Sequence, residues 1–309
     1  MEQHDPYGHV INYLGLEYNT QLTADLSSQI AYVQRTFFAS DFISYAYSDP
    51  IFQAAYLMAY YPLYIDPIED VLLTAIRPPL LLENQNSVGD KLGWKGRTNL
   101  DVSIYGGGAE PELLGLLKFI GKKYPSVKSV RSHYVDNNNW EDFRAYAYEH
   151  MVPDYWKGYF ISGNTLTSNL GSIFGSASAV KLLQNSDVHV MQNCATDLMY
   201  SFQSVDQYVN FMCQFFDKIK EGSILIGIDV PLFDIPLLSN PSEIIDVRGS
   251  FNRICRYIRA SPEGEVIKSP STGAPKEIAP DIYRGHQLAS NFSLKRTVKY
   301  HSFVARKIH

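Results

Sequence analysis

Three consecutive glycines, Gly106 to Gly108, stand between a short β-type run (Val102, Ile104) and an amphipathic pattern carrying Leu113, Leu117 and Ile120. Strand, glycine turn and helix in that order bring backbone N–H groups up to a nucleotide-like ligand at the end of an open α/β sheet. The flanking residues narrow the ligand. A dinucleotide turn wants a third glycine at position 111, which is Pro111, and a phosphate loop wants a Gly-Lys-Ser/Thr ending, which is absent. Proline suits the first helical turn, where its missing N–H costs nothing. Glu110 and Glu112 stand where a pyrophosphate would rest. Carboxylates favour a helix N-terminus, but they repel a phosphate and tolerate a cation. S-adenosylmethionine, which has no phosphate and carries a sulfonium and an ammonium, suits this turn better than NAD or ATP.

A second carboxylate falls where the next strand should end. Asp136 there can accept both ribose hydroxyl protons, as acids in this position do in related nucleotide sites; Asp136-Asn137-Asn138-Asn139 reads equally as a polar turn. Asn137 and Trp140 then suit the edge and face of an adenine, with ordinary packing the rival reading of Trp140. Cys194, Cys213 and Cys255 are widely spaced, and none has metal-ligand spacing to a histidine. Cys194 lacks an evident basic partner and reads as a small buried residue. His133 and His189 fall in strands and read as core residues, His150 beside Glu149 reads as surface, and His286 and His301 lie near the C-terminal end. No metal site is expected.

The elements that must hold these residues follow from periodicity. Residues 1–95 read as helical and 96–309 as α/β, with the polar run from residue 83 to 98 as the boundary. In the first part, Leu26, Ile30, Val33 and Phe37 share a helical face. Further helices are expected over 50–61, ended by Pro62, and over 67–76, stopped by Pro78-Pro79. In the second part, strands are expected over 101–105, 127–135, 157–162, 187–192 and 223–230. A helix over 111–123 follows the first strand, closed by Lys122-Lys123. Ser204 and Gln207 form a capping box ahead of a stripe from Val205 to Ile219, closed by Gly222. Residues 163–178 read mostly as loop, 261–285 as a loop or hairpin tip, and 288–308 as two closing strands.

This order resembles the class I S-adenosylmethionine-dependent methyltransferases. Tyr105-Gly106-Gly107-Gly108-Ala109-Glu110-Pro111-Glu112 is similar to a Gly-Gly-Gly-Pro-Gly-Ser-Glu variant of their first motif, with Gly106, Gly108 and Glu112 in register. Glu110 replaces the later glycine, and Ile104 stands where the common motif has an acid. The resemblance covers about residues 96–309 and implies a Rossmann-like seven-stranded sheet carrying the N-terminal helical cap. It implies cofactor contacts from Tyr105, Gly106, Gly107, Gly108, Glu112, Asp136, Asn137 and Trp140. It places Met191-Gln192-Asn193-Cys194 beside the reactive methyl, where Gln192 or Asn193 can hydrogen-bond the acceptor. The segment is not the Asn/Asp-Pro-Pro-Tyr/Phe pattern of many base-methylating enzymes.

Composition weighs the substrate class. The net charge is −5 and the pI about 5.9, no electrostatic footprint for a nucleic-acid binder. Arg248, Arg253, Arg256 and Arg259 form the one notable basic cluster, which reads as a solvated face. Tyrosine is abundant, 22 residues, and dense in the N-terminal part. Tyr56, Tyr60 and Tyr64 are the expected substrate-binding set, with docking of the cap on the sheet as the alternative. The expectation is therefore a methyltransferase acting on a small aromatic or amine-bearing molecule. The alternatives are a ribosomal-RNA-type methyltransferase and a non-catalytic methyltransferase-like binding protein. The residues from Met1 to Asp5 do not read as a signal peptide. The most apolar run, 51–66, is too short to span a membrane, and the odd, scattered cysteines fit a reducing, cytoplasmic setting.

Overall fold

A computed structural model of the chain describes residues 4–16, 18–36, 49–77, 90–202, 204–230, 236–237, 240–273, 276–277, 292, 294 and 297–308. Its centre is a seven-stranded sheet: β1 (Asn99–Tyr105), β2 (Ser129–Asp136), β3 (Tyr159–Thr167), β4 (Val188–Gln192), β5 (Ile224–Asp229), β6 (Gly264–Thr272) and β7 (His301–Lys307). The spatial order is β3-β2-β1-β4-β5-β7-β6. The first five strands run parallel, and β7 lies antiparallel between β5 and β6. The order reverses at β1/β4, so the C-terminal ends of β1, β2 and β4 open a crevice where an α/β sheet binds ligands.

Each face of the sheet is covered by its own hydrophobic cluster. One face carries four N-terminal helices, α1 (Pro6–Leu14), α2 (Thr20–Thr36), α3 (Pro50–Ala59) and α4 (Asp66–Ile76), together with α5 (Pro111–Lys123). Tyr7, Leu26, Phe52, Tyr60 and Ile68 share this core with Val102, Ile104, Phe119 and Val190. An arm follows β2: α6 (Glu141–Tyr146), a π turn over Ala147–Met151 and α7 (Val152–Tyr155). The opposite face carries α8 (Ala177–Asn185), α9 (Ala195–Ser201), α10 (Val205–Lys218) and α11 (Val247–Ala260). There Leu182, Phe215 and Ile254 pack with Leu225, Met191 and Phe303.

The N-terminal helices sit against α5 through an unusually close approach. A Cβ at Gly115 would fall 1.9 Å from the Ile65 carbonyl oxygen, so only glycine lets the two backbones meet there. Lys118 pairs with Asp66 and Glu69 at 2.8 and 2.9 Å, and Lys122 with Glu69 at 2.5 Å, along the same seam. The Tyr300 hydroxyl, in the same core, donates to Asp70 of α4.

The expected seven-stranded α/β sheet with helices from the N-terminal part is present. The β1 strand, α5 and the Ser204 cap, whose hydroxyl accepts from Gln207 N, fall where the pattern puts them. Three expectations need correction. The 50–61 helix ends at Ala59, and Pro62 lies inside a 3₁₀ turn over Tyr61–Tyr64. The stretch 163–178 is not mostly loop: β3 runs on to Thr167, a 3₁₀ turn covers Leu170–Gly175, and Ser176 caps α8. Its Ser, Asn and Gly residues are cap formers at element ends. Residues 264–272 form β6 rather than a loop, so the closing hairpin pairs 264–272 with 301–307. β6 is the sheet edge, where Pro270 and a polar sequence are tolerated. Helix α11 carries the arginine cluster: Arg248, Arg256 and Arg259 are exposed, and Arg253 pairs with Asp206 at 2.5 Å. Phe37, Pro78-Pro79, residues 83–89 and His286 lie outside the described residues.

Candidate functional site

A cavity of ≈ 230 Å³ opens at the switch point, between the ends of β1, β2 and β4, with α9 and α3 on its flanks. Its first wall is built by backbone. Gly106 (φ +65) and Gly108 (φ +55) adopt the left-handed conformation, and so does Glu110 (φ 58), the N-cap of α5. Position 110 is where the resembling motif has its later glycine. The backbone keeps the glycine geometry with a glutamate in it, at a cost of about 1–2 kcal/mol. Gly107 has no room for a side chain: a Cβ would fall 2.3 Å from Glu112 Oε1 and 2.6 Å from Ile104 Cγ2.

Asp136, at the last residue of β2, ties this turn down. Its Oδ2 accepts from Gly108 N at 3.1 Å, and its Oδ1 accepts from Asn138 N at 2.7 Å. Burial raises its pKa, and these bonds pull it back. Trp140 lies across Gly108, its indole 3.7 Å from where a Cβ would be, and meets Tyr56 with ring centroids 5.5 Å apart.

Two glutamates sit beneath the turn. Glu110 is 2% exposed and accepts from the Tyr148 hydroxyl. Burial pushes its pKa up to about 7, against the lowering effect of that bond and of Arg144. Glu112 lines the cavity. It too is raised well above the carboxylate range, by burial first and then by Glu110 and Asp136. The Oε1 atoms of both glutamates have no hydrogen-bond partner among the described residues.

The second wall is built by side chains. Gln192, the last residue of β4, donates from Nε2 to the Tyr64 carbonyl at 2.7 Å, which joins the sheet to the N-terminal helices. Asn193 turns the chain through a left-handed residue (φ 57), and α9 then presents Asp197, Leu198 and Ser201 to the cavity. Asp229, at the end of β5, accepts from Thr196 N at 3.1 Å and Val230 N at 2.7 Å. Burial lifts it to about 7. Asp197 is exposed at the cavity, and partial desolvation, with the Asp229 and Asp136 carboxylates, raises its pKa.

Of the sequence-predicted residues, Gly106, Gly107, Gly108, Glu112, Asp136, Asn137, Trp140, Gln192, Asn193 and Tyr56 line this one cavity. Tyr105, Tyr60 and Tyr64 do not. Tyr105 points into the opposite core, its hydroxyl 3.1 Å from Nδ1 of His189; burial lowers the His189 pKa to about 3. Tyr60 and Tyr64 stack at 5.8 Å in the core under the N-terminal helices. Asn138, Asn169, Leu170, Asp197, Leu198 and Ser201 also line the cavity and were not singled out by sequence. The last three lie on α9, a seven-residue helix too short to show a periodic pattern. No group of metal-ligating side chains occurs among the described residues, and none of their helices is long and apolar enough to cross a membrane.

The sheet order, with its antiparallel seventh strand inserted beside β5, and the glycine turn held by the β2 acid match the architecture that the sequence resembles. The chain has the class I methyltransferase fold. No family model and no curated protein matches the sequence. Among solved structures, an O-methyltransferase family protein from Burkholderia thailandensis shares 11% identity at a TM-score of 0.43, over 98% of this chain and 72% of that one. The mitomycin 7-O-methyltransferase MmcR shares 13% at 0.43, over 93% and 69%. Human N-acetylserotonin methyltransferase, solved with S-adenosylmethionine, shares 12% at 0.42, over 99% and 67%.

The cavity's chemistry limits the ligand it can take. Its lining holds three carboxylates, Glu112, Asp136 and Asp197, and no lysine, arginine or histidine among the described residues. Such a site favours a ligand that is cationic, rich in donors and free of phosphate.

Proposed function

We propose that the chain is an S-adenosylmethionine-dependent methyltransferase acting on a small aromatic or amine-bearing molecule. The observation that carries the proposal is Asp136. It fixes the glycine turn through Gly108 N and lines a cavity that holds two further carboxylates, Glu112 and Asp197. Gly106 to Gly108 and Glu112 would hold the amino-acid part of the cofactor. Asp136 would take the ribose hydroxyls, and Asn137 with Trp140 the adenine. When bound, the sulfonium supplies an activated methyl group with a good leaving group.

The protein's own part is alignment and exclusion of water. Gln192 and Asn193 are carried at the end of β4, the strand beside the turn. Tyr56 reaches the same cavity from α3, so one N-terminal helix contributes directly to the acceptor side. The acidic overall charge favours a small acceptor over nucleic acid, and within the arginine cluster Arg253 is already paired with Asp206. We place the protein in the cytoplasm on the cysteine pattern, all three thiols being free and buried.

The test is calorimetric titration with S-adenosylmethionine and S-adenosylhomocysteine, with Asp136→Ala as the control. Micromolar binding that is lost in the variant supports the reading and justifies screening amines, phenols and RNA as acceptors. A folded protein that binds neither ligand overturns it.

A further inference from the structure

The glycine turn passes into α5 through a residue that is not a glycine. Glu110 N donates to the Gly107 carbonyl at 2.9 Å, and the Glu110 carbonyl accepts from Leu113 N at 3.2 Å, so this one residue joins turn to helix. Its backbone is left-handed (φ 58, ψ 45). Outside glycine, that conformation is visited mainly by asparagine and aspartate, whose short side chains bond locally. Glu110 has no such local bond, because its side chain caps nothing at the start of α5. A residue held in this region persists only where its surroundings fix it.

The fixing group comes from another element. The Glu110 side chain is buried beneath the turn and does not line the cavity. Its Oε2 accepts from the Tyr148 hydroxyl, and its Oε1 has no partner among the described residues. Tyr148 stands on the π turn over Ala147–Met151, in the arm that follows β2. Its ring rests on Phe160 of β3, with centroids 4.7 Å apart, so the hydroxyl is presented from a packed position. Arg144, from the same arm, is engaged elsewhere: its guanidinium lies 3.6 Å above the Tyr134 ring, and its Nη2 donates to Thr165 Oγ1 at 3.4 Å.

We propose that Tyr148 and Glu110 are positioning residues for the cofactor: the tyrosine hydroxyl holds the glutamate, and the held glutamate keeps the left-handed entry to α5 that sets Gly107, Gly108 and Glu112 at the cavity. The inference rests on the methyltransferase reading above. A glycine at position 110 would adopt this conformation at no steric cost and would need no clamp. Here the arm between β2 and β3 supplies the clamp. The phenol therefore acts on a ligand it does not touch, and its effect disappears once position 110 is glycine.

The experiment measures S-adenosylhomocysteine binding by calorimetry at pH 8, where Glu110 is mostly ionised, with a melting curve for each protein. Tyr148→Phe keeps the ring on Phe160 and removes only the hydroxyl. It is expected to weaken binding about 10-fold in the wild-type background, the order of one buried hydrogen bond, and less than about 2-fold in a Glu110→Gly background. Three variants at position 110 test the clamp without altering Tyr148. Glu110→Gln keeps an acceptor for the hydroxyl, Glu110→Ala keeps the left-handed penalty without the clamp, and Glu110→Gly loses both. Glutamine and glycine are each expected to bind at least about 5-fold more tightly than alanine. Unchanged affinity in Tyr148→Phe, or an equal loss in both backgrounds, would reduce the tyrosine to packing and overturn the assignment. Alanine binding as tightly as glycine or glutamine would overturn it as well, and that comparison decides the matter even if Tyr148→Phe misfolds. If wild type binds S-adenosylhomocysteine and this pattern is absent, the positioning role alone fails. If wild type does not bind it, the methyltransferase reading fails and the role with it.

Discussion

The two walls of the cavity are made in different ways. The β1–β2 wall is backbone: three left-handed residues, a glycine with no room for a Cβ, and a carboxylate that fixes a peptide N–H. The β4–α9 wall is side chain: Gln192, Asp197, Leu198 and Ser201 on a strand end and one short helix. A backbone wall is rigid and demands particular residue types. A side-chain wall demands only helix register, and it can change its chemistry without disturbing the fold. The first wall therefore suits an invariant ligand and the second a variable one.

The largest expected effect separates the walls by ligand. Asp136→Ala removes the anchor of Gly108 N and Asn138 N together with the proposed ribose contact. S-adenosylhomocysteine affinity is expected to fall about 100-fold or more, two charge-assisted hydrogen bonds' worth. Asp197→Ala is expected to change it less than about 3-fold, given its place on the other wall. Calorimetry on both variants reads this directly, and a reversed order would break the comparison.

Gly107→Ala tests the backbone wall alone. The added methyl would meet Glu112 Oε1 and Ile104 Cγ2, an overpacking that costs about 1–3 kcal/mol. A lowered melting temperature and weaker S-adenosylhomocysteine binding are expected together. Alanine at Gly175, where nothing lies within 4 Å, is the control and should leave both unchanged.

The same contrast explains what could be read from the residues. Glycines and prolines have conformational requirements of their own, so Gly106 to Gly108 and Pro111 announced the turn, and the strand pattern announced its order. Asp136 was visible because a strand had to end there. Asp197 carried no such signal. It lies in a seven-residue helix after an irregular turn at Asn193, and its place at the cavity comes from the docking of that helix on β5, through Thr196 N and Asp229, which only the folded sheet creates. Tyr105 misled for the opposite reason. Its place beside the glycines is local, but the alternation of the strand turns its ring to the other face, onto His189. Edge strand β6 was missed because an exposed edge does not require the apolar alternation by which strands are found.

Glu110 gives the backbone wall a pH signature. Its pKa is about 7 in the folded chain against 4.5 when unfolded, so the folded state holds the extra proton between those values. Stability then falls as pH rises from about 4.5 to 7 and levels off above. For this one group the drop is on the order of 1–3 kcal/mol. Glu110→Gln keeps an acceptor for the Tyr148 hydroxyl and removes the titration. Melting curves from pH 5 to pH 8 should show a shallower decline in the variant and a higher melting temperature at the alkaline end. Asp229 and Glu112, also raised by burial, keep part of the slope. An identical pH profile in the two proteins would mean that Glu110 stays ionised in the fold.

The smallest effect sharpens the comparison within the N-terminal helices, where two tyrosines of one expected set end in different places. Tyr56 lines the cavity, whereas the Tyr64 hydroxyl is buried with no partner among the described residues. Removing an unsatisfied buried hydroxyl relieves its desolvation penalty, so Tyr64→Phe should be neutral or more stable by up to about 1 kcal/mol. That is a rise of a few degrees at most in a chain of this size. Acceptor binding should not move, because the ring stack with Tyr60 and the carbonyl that Gln192 uses both survive. Tyr56→Phe should do the reverse, leaving the melting temperature within error and weakening an amine acceptor about 2- to 5-fold, the loss of a hydrogen-bonding group at the cavity surface. If both variants changed only stability, the N-terminal helices would be a docked cover and the acceptor would be read by α9 alone. If both changed only acceptor binding, the Tyr60–Tyr64 stack would have to open toward the cavity when the acceptor enters.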